Sequence, residues 1–317
     1  MDDARDPSHP RSTVGAMTEA TSHLLDPAPF GRIIPAMVTP MKADGAIDYD
    51  AAQNLAKQLV KDGADGLLVN GTTGESPCTH MDEKIDLVRA VKEAVDVPVI
   101  SGAGSNDTAH TVRMVENIQE AGADALLVVA PYYSRPSQRG ILEQYKAVDA
   151  VAEKSFIVYD VPGRTGVKIA TETYDELAKL KHVTAVKDAT GNLGNALERH
   201  SRTGLTWYSG DDGIFLPFLS VGAVGVISVI AHVASKPMRE LADAFDRGDI
   251  REAQRIAAQL VPLVHALNGD GFQAVMAKAA LKVKGYIPCA AMRLPNVEAN
   301  AEQYKKVEDG MRAAGLL

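Results

Sequence analysis

Lys187 closes the apolar run Val183-Thr184-Ala185-Val186. A lysine at the end of a buried strand is desolvated, and desolvation lowers its pKa. In neutral form the amine can attack a ketone and form a Schiff base. The same lysine could also leave the strand for solvent or pair with Asp188. Gly71-Thr72-Thr73-Gly74-Glu75 is the second candidate. Its glycines allow a tight turn that brings backbone N–H groups toward a ligand. Such a loop before a helix suits a carboxylate or phosphate, although a turn with capping threonines would read the same way. The Gly-Lys-Ser/Thr ending of a nucleotide-binding P-loop is missing. Tyr132, Tyr133 and Tyr159 are concentrated in a chain that is only 5% aromatic. A tyrosine hydroxyl near a charge can act as acid or base, or the rings can simply pack. Arg164 sits in Val161-Pro162-Gly163-Arg164-Thr165-Gly166, where a guanidinium could grip a carboxylate in bidentate fashion or form a surface ion pair.

These residues lie at the ends of short apolar runs. The runs are Ile33–Thr39, Asp65–Asn70, Val97–Gly102, Ala125–Pro131, Phe156–Val161, Val183–Asp188, Thr206–Gly210 and Ala223–Val229. Continuous apolar character, without alternation, predicts parallel strands buried on both faces. Helical periodicity fills the gaps over Asp50–Asp62, Met81–Val95, Thr108–Ala121, Gln138–Lys154, Thr171–Leu180 and Ser235–Arg247, with shorter links around Asn195–His200 and Gly213–Ser220. Asn106 and Asp107 are good N-cap residues for the third helix. Gly63-Ala64-Asp65 and Gly122-Ala123-Asp124 suggest a repeated helix–turn–strand corner with a left-handed glycine. Strands alternating with helices in this number predict a (β/α)8 TIM barrel, whose chemistry belongs at the C-terminal strand ends. A doubly wound sheet would carry a glycine fingerprint after its first strand, and Val38-Thr39-Pro40-Met41 has none.

After Gly248 the strand signal stops, and Asp249–Leu267, Phe272–Val283 and Glu298–Ala313 read as helices. The expected organisation is a disordered tail over 1–29, a barrel over 30–248 and a C-terminal helical appendage over 249–317. Met17 could be the true start.

The 317 residues are 46% hydrophobic and 23% charged, which is ordinary for a globular chain. Lys plus Arg number 33 against 41 Asp plus Glu, so a nucleic-acid partner is not expected. No apolar run reaches the ~18 residues of a membrane span. Cys78 and Cys289 cannot make a disulfide framework and fit a reducing, cytoplasmic setting. The eight histidines show no metal-ligand spacing, so no metal site is expected. His232, just past the eighth strand, reads as structural.

Taken together, the strand ends resemble the dihydrodipicolinate synthase family, within the pyruvate-dependent Schiff-base aldolases that include N-acetylneuraminate lyase. The resemblance rests on Gly71-Thr-Thr-Gly-Glu75, Pro131-Tyr-Tyr-Ser-Arg-Pro-Ser137, Tyr159-Asp-Val-Pro-Gly-Arg-Thr-Gly166, Val186-Lys-Asp-Ala-Thr-Gly191, Ser209-Gly-Asp-Asp212 and Gly225-Val-Ile-Ser228. It covers about residues 30 to 317, and the order and spacing of the set are more specific than any one motif. It implies that Lys187 forms a Schiff base with pyruvate, and that Thr72, Tyr159 and Tyr133 form a proton relay. Tyr133 would act in a neighbouring subunit's site, which needs at least a dimer; the family is usually tetrameric. Thr73 would belong to the pyruvate carboxylate pocket, and Arg164 would hold the carboxylate of aspartate semialdehyde. Gly210 and Ile227 would line the pocket. The implied reaction condenses the two substrates to 4-hydroxy-tetrahydrodipicolinate, on the route to diaminopimelate and lysine, without a metal or organic cofactor.

A sugar-acid or sialic acid lyase is the rival enzyme, and a non-catalytic keto-acid-binding relative is the rival from another class. Asp160 stands where many relatives carry Asn. The family's lysine feedback site would fall near Ser76, Met81, Lys84, Asn106 and His110. In lysine-sensitive members the positions of Met81 and Lys84 are histidines and that of His110 is an acid. A cation at Lys84 and no acid at His110 imply weak or absent lysine inhibition.

Overall fold

The computed structural model describes residues 28–269 and 271–317. The expected tail over 1–29 and the alternative start at Met17 lie almost wholly outside these residues. The strands are β1 (Ile33–Pro35), β2 (Leu67–Val69), β3 (Val99–Gly102), β4 (Ala125–Val129), β5 (Phe156–Asp160), β6 (Val183–Asp188), β7 (Thr206–Ser209) and β8 (Gly225–Ser228). All pair in parallel, in the order β1-β8-β7-β6-β5-β4-β3-β2. Ala36 bridges Leu68 and the Met37 amide donates to the Leu68 carbonyl at 2.8 Å, which closes the ring between β1 and β2. The expected barrel is therefore the observed fold.

Eight helices follow the strands in turn: α1 (Tyr49–Lys61), α2 (Met81–Ala94), α3 (Thr108–Glu120), α4 (Gln138–Asp149), α5 (Thr171–Leu177), α6 (Leu193–Thr203), α7 (Phe215–Ser220) and α8 (Ala231–Asp246). The chain continues through α9 (Ile250–Asn268), α10 (Gln273–Val283) and α11 (Ala301–Ala313). The similar corners share one physical solution. Gly63 and Gly122 take φ of 104° and 100°, the left-handed region glycine reaches without a Cβ clash. The aspartate that follows each then binds the start of the preceding strand: Asp65 Oδ1 accepts from the Ile33 amide and Asp124 Oδ2 from the Val99 amide, each at 2.7 Å.

Several boundaries differ from expectation, and two helix ends show why. α4 ends at Asp149 rather than Lys154. The Glu153 amide leaves the helix to donate to Gln119 Oε1 at 3.0 Å, which sets up the turn into β5. α8 starts at Ala231 rather than Ser235, with a kink at Ala234 (φ −132°). Pro237 sits in the first turn after that kink, where its missing N–H is tolerated, so periodicity locates only the second segment.

Strand alternation sorts the barrel into two apolar layers. Ile34, Leu68, Ile100, Ala125, Ile157, Ala185, Tyr208 and Ile227 fill the interior. Val158, Val186, Trp207, Val226 and the helix faces form the outer layer. His232 locks the ring where β1 and β8 meet. Its Nε2 accepts from the Val38 amide at 3.0 Å, so Nδ1 carries the proton donated to the Val229 carbonyl at 2.7 Å. Burial holds its pKa down at about 4, so the ring stays neutral. This is the structural role read from the sequence.

Candidate active site

β5 and β6 place Tyr159 and Lys187 in direct register on the inner face, at the C-terminal ends of their strands. Lys187 is 6% exposed, and its Nζ lies 4.4 Å from the centroid of the Tyr159 ring. No carboxylate pairs with it among the described residues. Its pKa falls to about 7: burial is the main cause, the Arg164 charge adds to it, and Asp212 opposes it. The consequence is large. An ordinary lysine at pH 7 is neutral in roughly one molecule in three thousand, whereas here a far larger share of the population can act as a nucleophile.

The Asp212 charge is itself fixed. Its Oδ2 accepts from the amides of Val229 and Ile230 at 3.1 and 3.0 Å and from Asn268 Nδ2 at 3.0 Å. Gly210 leaves room for the reactive side chain. A Cβ there would lie 3.2 Å from Lys187 Cε and 3.0 Å from Ala189 Cβ.

Tyr159 is 7% exposed, and burial raises its pKa; the Arg164 charge and the nearby Thr72 hydroxyl oppose the rise. Thr72 comes from the loop after β2, which closes on itself. The amides of Gly74 and Glu75 donate to the carbonyls of Gly71 and Thr72 at 3.1 and 3.0 Å. Thr39 Oγ1 donates to the Gly74 carbonyl at 2.6 Å and ties the loop to the end of β1.

Arg164 stands on the single helical turn Pro162–Thr165 after β5. Its Nη2 donates to Gln273 Oε1 at 2.8 Å, and its guanidinium lies 5.9 Å from the Phe272 ring centroid. Gln273 and Phe272 thus join the rim from the start of α10, and nothing in the sequence beyond the break between α9 and α10 marks them. A cavity of ≈ 510 Å³ has Thr72, Tyr159, Arg164 and Phe272 in its wall and extends past Ser105 to Lys84 and His110.

The remaining expected residues fall in three places. Thr73 is 4% exposed and Ile227 1%, the latter within the inner apolar layer. Neither lines the cavity. Tyr132 lines it, whereas Tyr133 is 88% exposed with a left-handed φ of 73°. Its amide donates to the Thr165 carbonyl at 3.3 Å, so the outward placement is fixed by the backbone.

At the far end of the cavity, Lys84 is 5% exposed. Its Nζ donates to the carbonyls of Ser76 and Thr79 at 2.8 and 2.5 Å and to Thr79 Oγ1 at 2.7 Å. Burial lowers its pKa to about 8. Cys78 and Cys289 are free.

The chain belongs to the dihydrodipicolinate synthetase family, whose model matches residues 29–314. It is 75% identical over 301 residues to the 4-hydroxy-tetrahydrodipicolinate synthase of Bifidobacterium longum strain DJO10A, covering 95% of this chain and 100% of that protein. The Corynebacterium jeikeium protein of the same name is 48% identical over 310 residues, covering 96% and 100%. The crystal structure of a dihydrodipicolinate synthase from Cyanidioschyzon merolae with lysine bound superposes with a TM-score of 0.88 at 38% identity, covering 91% of this chain and 99% of that one.

Proposed function

We propose that the chain condenses pyruvate with aspartate semialdehyde to give 4-hydroxy-tetrahydrodipicolinate, through a Schiff base on Lys187. The observation that carries this reading is Lys187 itself: buried, unpaired and held near neutrality beside Tyr159. Its amine attacks the pyruvate ketone, and loss of water gives the imine. The positive nitrogen then acts as electron sink while a methyl proton is lost to form the enamine. Tyr159 and Thr72, which share one cavity wall, are suited to carry these protons. The loop around Thr73 offers its backbone to the pyruvate carboxylate, while Gly210 leaves room for the Lys187 side chain and Ile227 packs in the inner apolar layer.

The enamine carbon attacks the aldehyde of the second substrate, whose carboxylate Arg164 grips from the rim. Attack of the substrate amine on the imine carbon closes the ring and frees Lys187. The exposed, backbone-fixed Tyr133 supports a relay completed between subunits, and hence a homo-oligomer, which we place at a homotetramer on the family pattern. Two free cysteines support a cytoplasmic setting, and no helix among the described residues is long and apolar enough to cross a membrane. The chain divides into a catalytic barrel over 30–248 and a helical part over 249–317.

The test is a product assay with pyruvate and either aspartate semialdehyde or N-acetylmannosamine. Turnover of the first alone is expected. Turnover of the second alone would make the chain an N-acetylneuraminate lyase, and reversible pyruvate binding without turnover would make it a binding protein.

A further inference from the structure

The buried residues of α10 are apolar except for one cation. Ala274, Met276, Ala277, Ala279, Ala280 and Leu281 are buried, and so is Lys278 among them. Its side chain and that of Glu75 are both 0% exposed, with Lys278 Nζ 2.6 Å from Glu75 Oε1. The same ammonium donates to the Ala291 carbonyl at 2.7 Å, and the second carboxylate oxygen accepts from the Arg293 amide at 3.1 Å. The Arg293 guanidinium in turn holds Glu83, the Gly45 carbonyl at 2.8 Å and the Cys78 carbonyl at 2.9 Å. A buried ion pair gains little net stability over an apolar pair of the same volume, so stability alone does not account for it.

What the pair does hold is backbone. Glu75 has φ 57°, a left-handed conformation that costs a non-glycine residue energy and persists only where its surroundings impose it. Its amide donates to the Thr72 carbonyl at 3.0 Å, so the orientation of Glu75 and that of Thr72 are joined by one hydrogen bond. We propose that Lys278 is a positioning residue for the reaction. By clamping Glu75 in its left-handed turn, it sets the contact between Thr72 and Tyr159, so the C-terminal helices take part in aligning the barrel's proton relay. This rests on the reading of Thr72 and Tyr159 given above.

The experiment compares the full-length parent with Lys278→Met and with Glu75→Gln/Lys278→Met. The double variant leaves no unpaired buried charge and keeps the protein folded if the single variant unfolds. Thermal midpoint, steady-state rates with both substrates, the pH profile of kcat and borohydride trapping of pyruvate on Lys187 are measured on each. The double variant is expected near the parent midpoint, with kcat down about 10-fold or more, as for other small misplacements of a catalytic group. KM for aspartate semialdehyde should stay unchanged, because Arg164 is not moved. The alkaline limb of the kcat profile should move upward, because Tyr159 loses part of the Thr72 influence that opposes the rise of its pKa. A double variant with parental kcat and parental pH profile overturns the proposal, as does a kcat that merely follows the thermal midpoint. A parent that forms no pyruvyl adduct on Lys187 overturns the reaction reading instead, and the two failures are thereby distinct.

Discussion

β5 and β6 each carry two buried ionisable groups in succession, and the strands present them to opposite sides. Tyr159 and Lys187, paired in register, face the barrel interior, while Asp160 and Asp188, also paired in register, face the helices. The outer pair is dense with partners. Asp188 accepts from Thr190 N at 2.8 Å and Trp207 Nε1 at 3.2 Å, and Asp160 accepts from the Tyr174 hydroxyl at 3.1 Å. The inner pair is nearly bare: Lys187 has the Tyr159 ring and no ion-pair partner among the described residues. Burial acts on both, but only the inner face leaves a group free to react. A satisfied buried group holds a fold together; a desolvated and unsatisfied one stores reactivity.

The largest effect expected is on the inner face. Lys187→Ala should lower turnover by roughly 10³-fold or more, since the nucleophile is lost outright. Tyr159→Phe should cost about 10²-fold, within the range of a general acid–base group. Stopped assays of product formation measure both. Equal losses in the outer-face variant Asp160→Asn would break the contrast between the two faces, because that substitution is expected to leave kcat within about 3-fold.

pH sharpens the comparison. The kcat/KM for pyruvate should rise through pH 7, since protonated Lys187 in the free enzyme is not nucleophilic and its pKa lies at about 7. The outer face should instead show in stability. Burial and the Asp188 charge raise the Asp160 pKa to about 7. Arg199 stands 3.6 Å away, but its Nη1 makes no hydrogen bond, so burial outweighs it. A carboxyl whose folded pKa is raised binds its proton more tightly folded than unfolded. Its contribution is therefore full below about pH 4 and is lost as pH rises through about 7. Asp160→Asn should flatten the parent's fall in thermal midpoint between those limits, read by calorimetry across pH. An unchanged slope would contradict the assignment.

The smallest effect expected is that of added lysine. The Lys84 ammonium already occupies three acceptors at the far end of the cavity, and His110 supplies no negative charge there. A lysine titration of the rate should give weak or no inhibition, and strong inhibition at sub-millimolar lysine would overturn this expectation.

The barrel was legible because parallel strands buried on both faces leave uninterrupted apolar runs, and β6 is found over the same span that its run predicts. The strand ends then pointed to Thr72, Tyr159 and Arg164, which line one cavity, and to Lys187, whose ammonium lies 4.4 Å from the Tyr159 ring centroid. Helix ends were less legible, since the early exit of α4 depends on a hydrogen bond between distant segments and the kink at Ala234 sets the first turn of α8 apart from the periodic stretch. The partners supplied by α10 were not singled out. Gln273 and Phe272 carry no local signal, because their role exists only once α10 lies over the barrel mouth. Lys278 did carry one: a lone cation in the apolar stretch Ala274-Val275-Met276-Ala277-Lys278-Ala279-Ala280-Leu281 has to find a buried acid.

The most direct test of the account is borohydride reduction in the presence of pyruvate, followed by intact mass and peptide mapping. A single pyruvyl adduct on Lys187 is expected, with a yield that rises as pH passes through 7. No adduct, or an adduct on another lysine, would contradict it.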